Sequence, residues 1–151
     1  MRSAVLICAA LLVVSARANS HPEPGGENNY VSFNASVKQG ARATGSLLFR
    51  LSPRKGIHIN LDPPMSVSFD SGAPVKPAGK LEVPRMGKFP YLDTARAITQ
   101  PFTLSIHSAE GRTKPPSVTL KGILTYFYCS DAEGWCSRCR QPFAVAVPAA
   151  K

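Results

Sequence analysis

Apolar residues recur at every second position along this chain, in runs cut short by proline and glycine. That pattern constrains the fold more than any other feature. Val31, Phe33, Ala35 and Val37 share one face of a segment that starts at Tyr30 and stops at Gln39-Gly40. A period of two marks a half-buried strand. Leu47, Phe49 and Leu51 repeat it within 43–51. After the turn Ser52-Pro53-Arg54-Lys55-Gly56, the segments Ile57–Leu61 and Met65–Phe69 alternate again, parted by Asp62-Pro63-Pro64. Residues 98–107 put Phe102, Leu104 and Ile106 on one face. Ser117–Tyr128 is the longest run, and Gly122 falls where its alternation slips, which predicts a bulge. Phe143–Val147 predicts a last, short edge strand. The stretch 75–97 holds Pro77, Gly79, Pro84, Gly87 and Pro90. It predicts one short strand near Lys80–Val83 and then a long loop, of a length often kept for function. With 14 prolines and 11 glycines in 151 residues, long helices are excluded. About eight short strands joined by turns predict an all-β chain, an immunoglobulin-like antiparallel β-sandwich.

The N-terminus is of another kind. Met1-Arg2 is a short basic start, Ala4–Val14 is unbroken apolar sequence, and Ala16-Arg17-Ala18 has the small-x-small pattern of a signal peptidase site. Residues 1–18 therefore read as a secretory signal peptide. The alternative, an uncleaved anchor, meets a run shorter than the roughly 20 apolar residues of a membrane span. The expected product is periplasmic or secreted, with no membrane span after cleavage. Residues 19–29 form a polar, flexible leader, and 30–148 form the domain. Cleavage removes Arg2 and Arg17, so the net charge falls from +9 to +7. The remaining basic residues are mostly scattered, without a basic helix or an aromatic–basic repeat. The charge is read as solvated surface and not as a nucleic-acid site.

Cleavage also removes Cys8, leaving Cys129, Cys136 and Cys139 within eleven residues. In an oxidising compartment a disulfide among them persists, and an odd count leaves one thiol over. Two strands joined at Asp131–Gly134 could bring Cys129 and Cys136 within bonding range. Cys136-Ser137-Arg138-Cys139 is also a C-x-x-C, which makes Cys139 a competitor for Cys136. A thioredoxin fold is excluded because only twelve residues follow Cys139 and they read as a strand. Three readings remain beside exchange chemistry. One is an inert disulfide with a buried thiol. Another is a zinc site completed by His58 or His107. The third is a cysteine hydrolase, which needs a histidine beside the thiol that the sequence cannot place. His58 lies in an alternating segment, where a lone histidine reads as structural. Asn34-Ala35-Ser36 is a glycosylation sequon only in a host that glycosylates. Arg138 and Arg140 matter more than the other cations, because positive charge beside a thiol favours the thiolate.

Two segments carry a resemblance. Lys55-Gly56-Ile57-His58-Ile59-Asn60-Leu61-Asp62-Pro63-Pro64 resembles the G-aromatic-H-I-N-x-x-P stretch of the N-terminal periplasmic domain of the thiol:disulfide interchange protein DsbD, with Ile57 in the aromatic position. Lys121–Cys129, followed by Cys136, resembles that family's G-x-L-x-Y-x-x-C…C strand and loop. The resemblance implies an immunoglobulin-like domain whose last hairpin carries a redox-active cysteine pair under an aromatic cap loop. Cys129 and Cys136 match the pair, and Phe89 and Tyr91 are the cap candidates by loop position. It implies thioredoxin-like redox partners and no metal or organic cofactor. Cys139 has no counterpart there. A free-standing domain of this kind would receive its electrons from a separate protein, or else has lost the redox role and kept the fold.

The resulting expectation is an exported domain that exchanges disulfides through a mixed disulfide. Cys136 is the sulfur shared with the partner, Cys129 is the resolving thiol, and Trp135 is a contact residue. The alternative is a secreted interaction module with a structural Cys129–Cys136 bridge.

Overall fold

The computed structural model describes residues 28–41, 43–105 and 117–148. The signal sequence, the leader up to residue 27, Ile106 and His107 lie outside the described residues. Those described hold eight strands: β1 (Val31–Gln39), β2 (Thr44–Pro53), β3 (Ile57–Asn60), β4 (Ser66–Phe69), β5 (Val75–Pro77), β6 (Ile98–Leu104), β7 (Ser117–Ser130) and β8 (Trp135–Pro148). Among the described residues no helix is long and apolar enough to cross a membrane.

All pairings are antiparallel. One sheet has the order β1-β2-β6-β5. In the other, β7 is central, with β8 on one side and β3 and β4 following one another along its second side. Taking β3 and β4 as one interrupted strand, these are the A-B-E-D and C-F-G sheets of an immunoglobulin-like sandwich. The interruption has a local cause. Pro63 and Pro64 have no N–H to give a ladder, and the chain loops out between β3 and β4, turning Leu61 and Met65 into the interior.

Period-two alternation builds the core from both sheets. On β1 the inward side chains are Val31, Phe33, Ala35 and Val37; on β2 they are Leu47, Phe49 and Leu51. From β7 come Leu120, Leu124, Tyr126 and Tyr128, and from β8 come Cys139, Phe143 and Val147. Phe49 meets Phe143 across the two sheets edge to face, centroids 5.1 Å apart. Leu47, Phe49, Ile98, Leu120 and Leu124 are wholly buried, each worth about 1.5–3 kcal/mol of transfer free energy.

Three expectations need correction. There is no bulge at Gly122: the β7–β8 ladder keeps one register from Ser117↔Pro148 to Ser130↔Trp135. The slip in alternation is a missing side chain. A Cβ at Gly122 would stand 2.2 Å from the Ser68 carbonyl oxygen and 2.8 Å from the Phe143 ring, so glycine lets β4 and Phe143 close in. The short strand is β5 at Val75–Pro77. Lys80–Val83 contributes only the single bridge Glu82↔Thr99. The last strand is not short. Sequence alternation continues back through Gln141, Cys139 and Ser137, and β8 runs 14 residues from Trp135.

Candidate thiol–disulfide site

The site lies at the end of the β7–β8 hairpin. Asp131-Ala132-Glu133-Gly134 makes the turn. The Gly134 N–H donates to the Ser130 carbonyl at 2.9 Å, and the Glu133 N–H donates to Ser130 Oγ at 3.3 Å. Gly134 has φ +68°, the left-handed conformation that costs glycine least. Cys129 and Cys136 are directly opposed in the ladder. They are joined by a disulfide with Cα atoms 4.0 Å apart. Both sulfurs belong to the outer face of their sheet, since Tyr128 and Cys139 alternate inward. The bridge therefore joins two neighbouring strands of one sheet and does not tie the two sheets together. Its halves differ: Cys129 is buried at 4% exposure, while Cys136 is exposed.

Two elements flank Cys129. On β3, the inward Ile59 sends its neighbour His58 to the outer face, in register with Cys129. Cross-strand partners of this kind have Cβ atoms about 4.5–5.5 Å apart. The second element is the long stretch between β5 and β6. There, 84–93 folds as a narrow hairpin, with the bridge Arg85↔Leu92 and a hydrogen bond from the Met86 N–H to the Tyr91 carbonyl. This hairpin docks on the β3 edge through Leu61 N–H to the Pro90 carbonyl at 2.8 Å and Leu92 N–H to the Ile59 carbonyl at 3.0 Å. Tyr91 thereby covers the His58 imidazole, centroids 4.3 Å apart. Phe89 stacks on Tyr91 at 6.2 Å and stands 63% exposed at the tip, where Met86 is exposed as well. The cap candidates thus reach the cysteines' surroundings by way of His58.

His58, read from the sequence as structural, lies beside the disulfide. Its Nδ1 lies 3.2 Å from Asp131 Oδ2, within ion-pair range. This buried nitrogen has no hydrogen-bond partner. A structural histidine with both nitrogens satisfied was expected. The alternation Ile57-His58-Ile59 does send His58 away from the core, but only the long-range β3–β7 register sets it beside Cys129.

The inner face of the same hairpin is built for packing. Cys139 is a free, buried thiol facing Tyr126, on the face opposite Cys136. The C-x-x-C pairing would require turning one cysteine through the sheet. The Tyr126 hydroxyl accepts a hydrogen bond from Asn28 Nδ2 at 3.1 Å. Burial above all, and then the Cys139 thiol, push Tyr126 well above the ordinary tyrosine value of 10.0. Tyr128 is raised by burial as well. Trp135, expected to meet a partner, turns inward. Its ring is edge-on to Tyr30 and Tyr128, centroids 5.1 and 5.6 Å away, while its Nε1–H donates to Glu133 Oε2. Arg138 and Arg140 are exposed along β8, on the same outer face as Cys136.

No family model matches the chain, and no curated protein does. Among solved structures, a crystal structure of the yeast GGA1 GAE domain is similar at 13% identity and a TM-score of 0.39, over 82% of this chain and 96% of that one.

Proposed function

We propose that the chain is an exported thiol–disulfide exchange domain. It passes electrons through Cys129 and Cys136, in the periplasm or outside the cell, to or from thioredoxin-like redox proteins. The observation that carries this reading is the unequal burial of the two bonded cysteines on a face that the core does not use. Exposed Cys136 is the sulfur that a partner thiolate reaches. Buried Cys129 leaves, and later resolves the mixed disulfide. Arg138 and Arg140 on the same face favour the thiolate of Cys136.

The bond is a modest staple beside one that closes a long loop. With a sequence separation of seven, the chain-entropy relation gives about 2.5 kcal/mol, against about 4.7 kcal/mol for a bridge closing a 100-residue loop. The strands it joins are already held by their ladder. The resemblance of 55–64 and 121–129 to the N-terminal periplasmic domain of DsbD supports the same reading. So does the 84–93 hairpin, with Phe89 and Tyr91 as its cap. A second reading, a secreted interaction module with a structural bridge, draws on the unbroken pairing of β7 with β8 around the cysteines.

Equilibrium titration of the domain against defined thiol–disulfide buffers separates the two. Exchange requires a midpoint within the roughly −270 to −120 mV spanned by exchange proteins. A midpoint below about −300 mV, where inert bridges lie, would establish the structural reading instead. Cys129→Ser should also accumulate a mixed disulfide through Cys136 in the native compartment.

A further inference from the structure

We infer that His58, paired with Asp131, is the general acid–base of this exchange, protonating Cys129 as it leaves and deprotonating it as it attacks. The inference rests on the exchange reading above and adds a residue to it. Three observations meet at one atom group. His58 is the register partner of Cys129 on the same face, so the imidazole neighbours the sulfur that changes protonation. Its Nδ1 is buried, lacks a hydrogen bond and stands 3.2 Å from the Asp131 carboxylate. An imidazole so placed can pass a proton to or from the neighbouring sulfur, with a carboxylate at ion-pair distance facing the charge that the ring takes on. Tyr91 covers the ring and keeps its side chain only 19% exposed.

The need follows from the burial of Cys129. When a partner thiolate attacks Cys136 Sγ, a new S–S bond forms and the Cys129–Cys136 bond breaks. The electron pair goes to Cys129 Sγ, so the disulfide is reduced and the partner thiol is oxidised to the mixed disulfide. The anion appears on a buried sulfur, where an uncompensated charge is costly. Transfer of the imidazolium proton to that sulfur neutralises it. In the reverse direction, neutral His58 takes the proton back, and the Cys129 thiolate attacks Cys136 Sγ and expels the partner thiolate. The groups that face His58 are Cys129 on β7, Asp131 on the hairpin turn and Tyr91 on the cap hairpin.

The test is the rate at which reduced glutathione opens the disulfide of the oxidised full chain between pH 5 and 8. Alkylation and mass spectrometry of Cys129 and Cys136 supply the readout, with each rate divided by the thiolate fraction of glutathione. The native chain should show a corrected rate that falls as pH rises through the range where a histidine ionises. His58→Gln should be flat and, at the acid end, about tenfold slower, the low side for general acid catalysis because a thiolate is already a fair leaving group. Asp131→Asn changes only an exposed turn residue and should lose part of the same acid limb, so the idea is tested even if His58→Gln folds poorly. A native chain whose disulfide never opens sinks the exchange reading and this inference together. A native chain that exchanges with no acid limb, or an Asp131→Asn chain that retains the whole limb, overturns the role of His58 and leaves the exchange reading standing.

Discussion

The two faces of the β7–β8 hairpin hold the same kinds of residue in opposite circumstances. Cys136 and Cys139 are three positions apart on one strand. One is exposed and bonded to Cys129; the other is buried, free, and set against Tyr126. Tyr126, Tyr128 and Trp135 face inward and pack on one another and on Tyr30. His58, Arg138 and Arg140 lie outward with the disulfide. An odd spacing within a strand is enough to send one cysteine to the outer face and the other to the core, because successive side chains point to opposite faces.

The sharpest way to break this comparison is to delete side chains from each face at neighbouring positions. Leu124 points inward and is wholly buried, while Thr125 beside it faces outward. Leu124→Ala should cost about 2–5 kcal/mol in denaturant unfolding, from lost transfer energy and the cavity left behind. Thr125→Ala should stay within about 0.5 kcal/mol. Equal costs would mean that the hairpin does not divide into a packing face and an outer face.

A smaller effect is expected from alkali. Tyr126 is held above the ordinary tyrosine value, chiefly by burial, so the native state keeps a proton that the unfolded chain gives up. The stability this group contributes is complete below pH 10 and is lost as pH climbs above it, by at most about 1.4 kcal/mol per pH unit. Melting temperatures at pH 9 and 11 should differ less in Tyr126→Phe than in the native chain. An equal drop in both would show that the inner-face tyrosine does not resist ionisation.

The sandwich was legible in the sequence because its evidence is local. Val31 to Val37 and Leu47 to Leu51 alternate over a few residues, and turns follow at Pro and Gly. Gly122 was misread for a physical reason: a bulge and a close approach both call for glycine, and only the distance to Ser68 tells them apart. The first half of β8 was missed because polar Ser137 and Gln141 stand in half-buried positions and mask the period. For the site, the cysteine pair was within reach, since one hairpin carries both. His58 was not, because its place beside Cys129 depends on pairing between strands about 70 residues apart that share no local signal.

The smallest effect belongs to Cys139, and it sharpens the division most. Facing the core, this thiol behaves as a small hydrophobe. Cys139→Ala should lower stability by about 1 kcal/mol, the scale of one buried methylene-sized group. It should leave the glutathione rate at Cys129–Cys136 within about twofold of native, because the inner sulfur lies across the sheet from the bond that opens and adds no step to the exchange. The same alkylation assay measures the rate in Cys139→Ala and in the native chain. A several-fold change in rate, or a glutathione adduct on Cys139, would mean that the strand turns over during exchange and that the two faces trade their thiols. An unchanged rate beside a measurable loss of stability would fix Cys139 as packing and confine the chemistry to the outer pair.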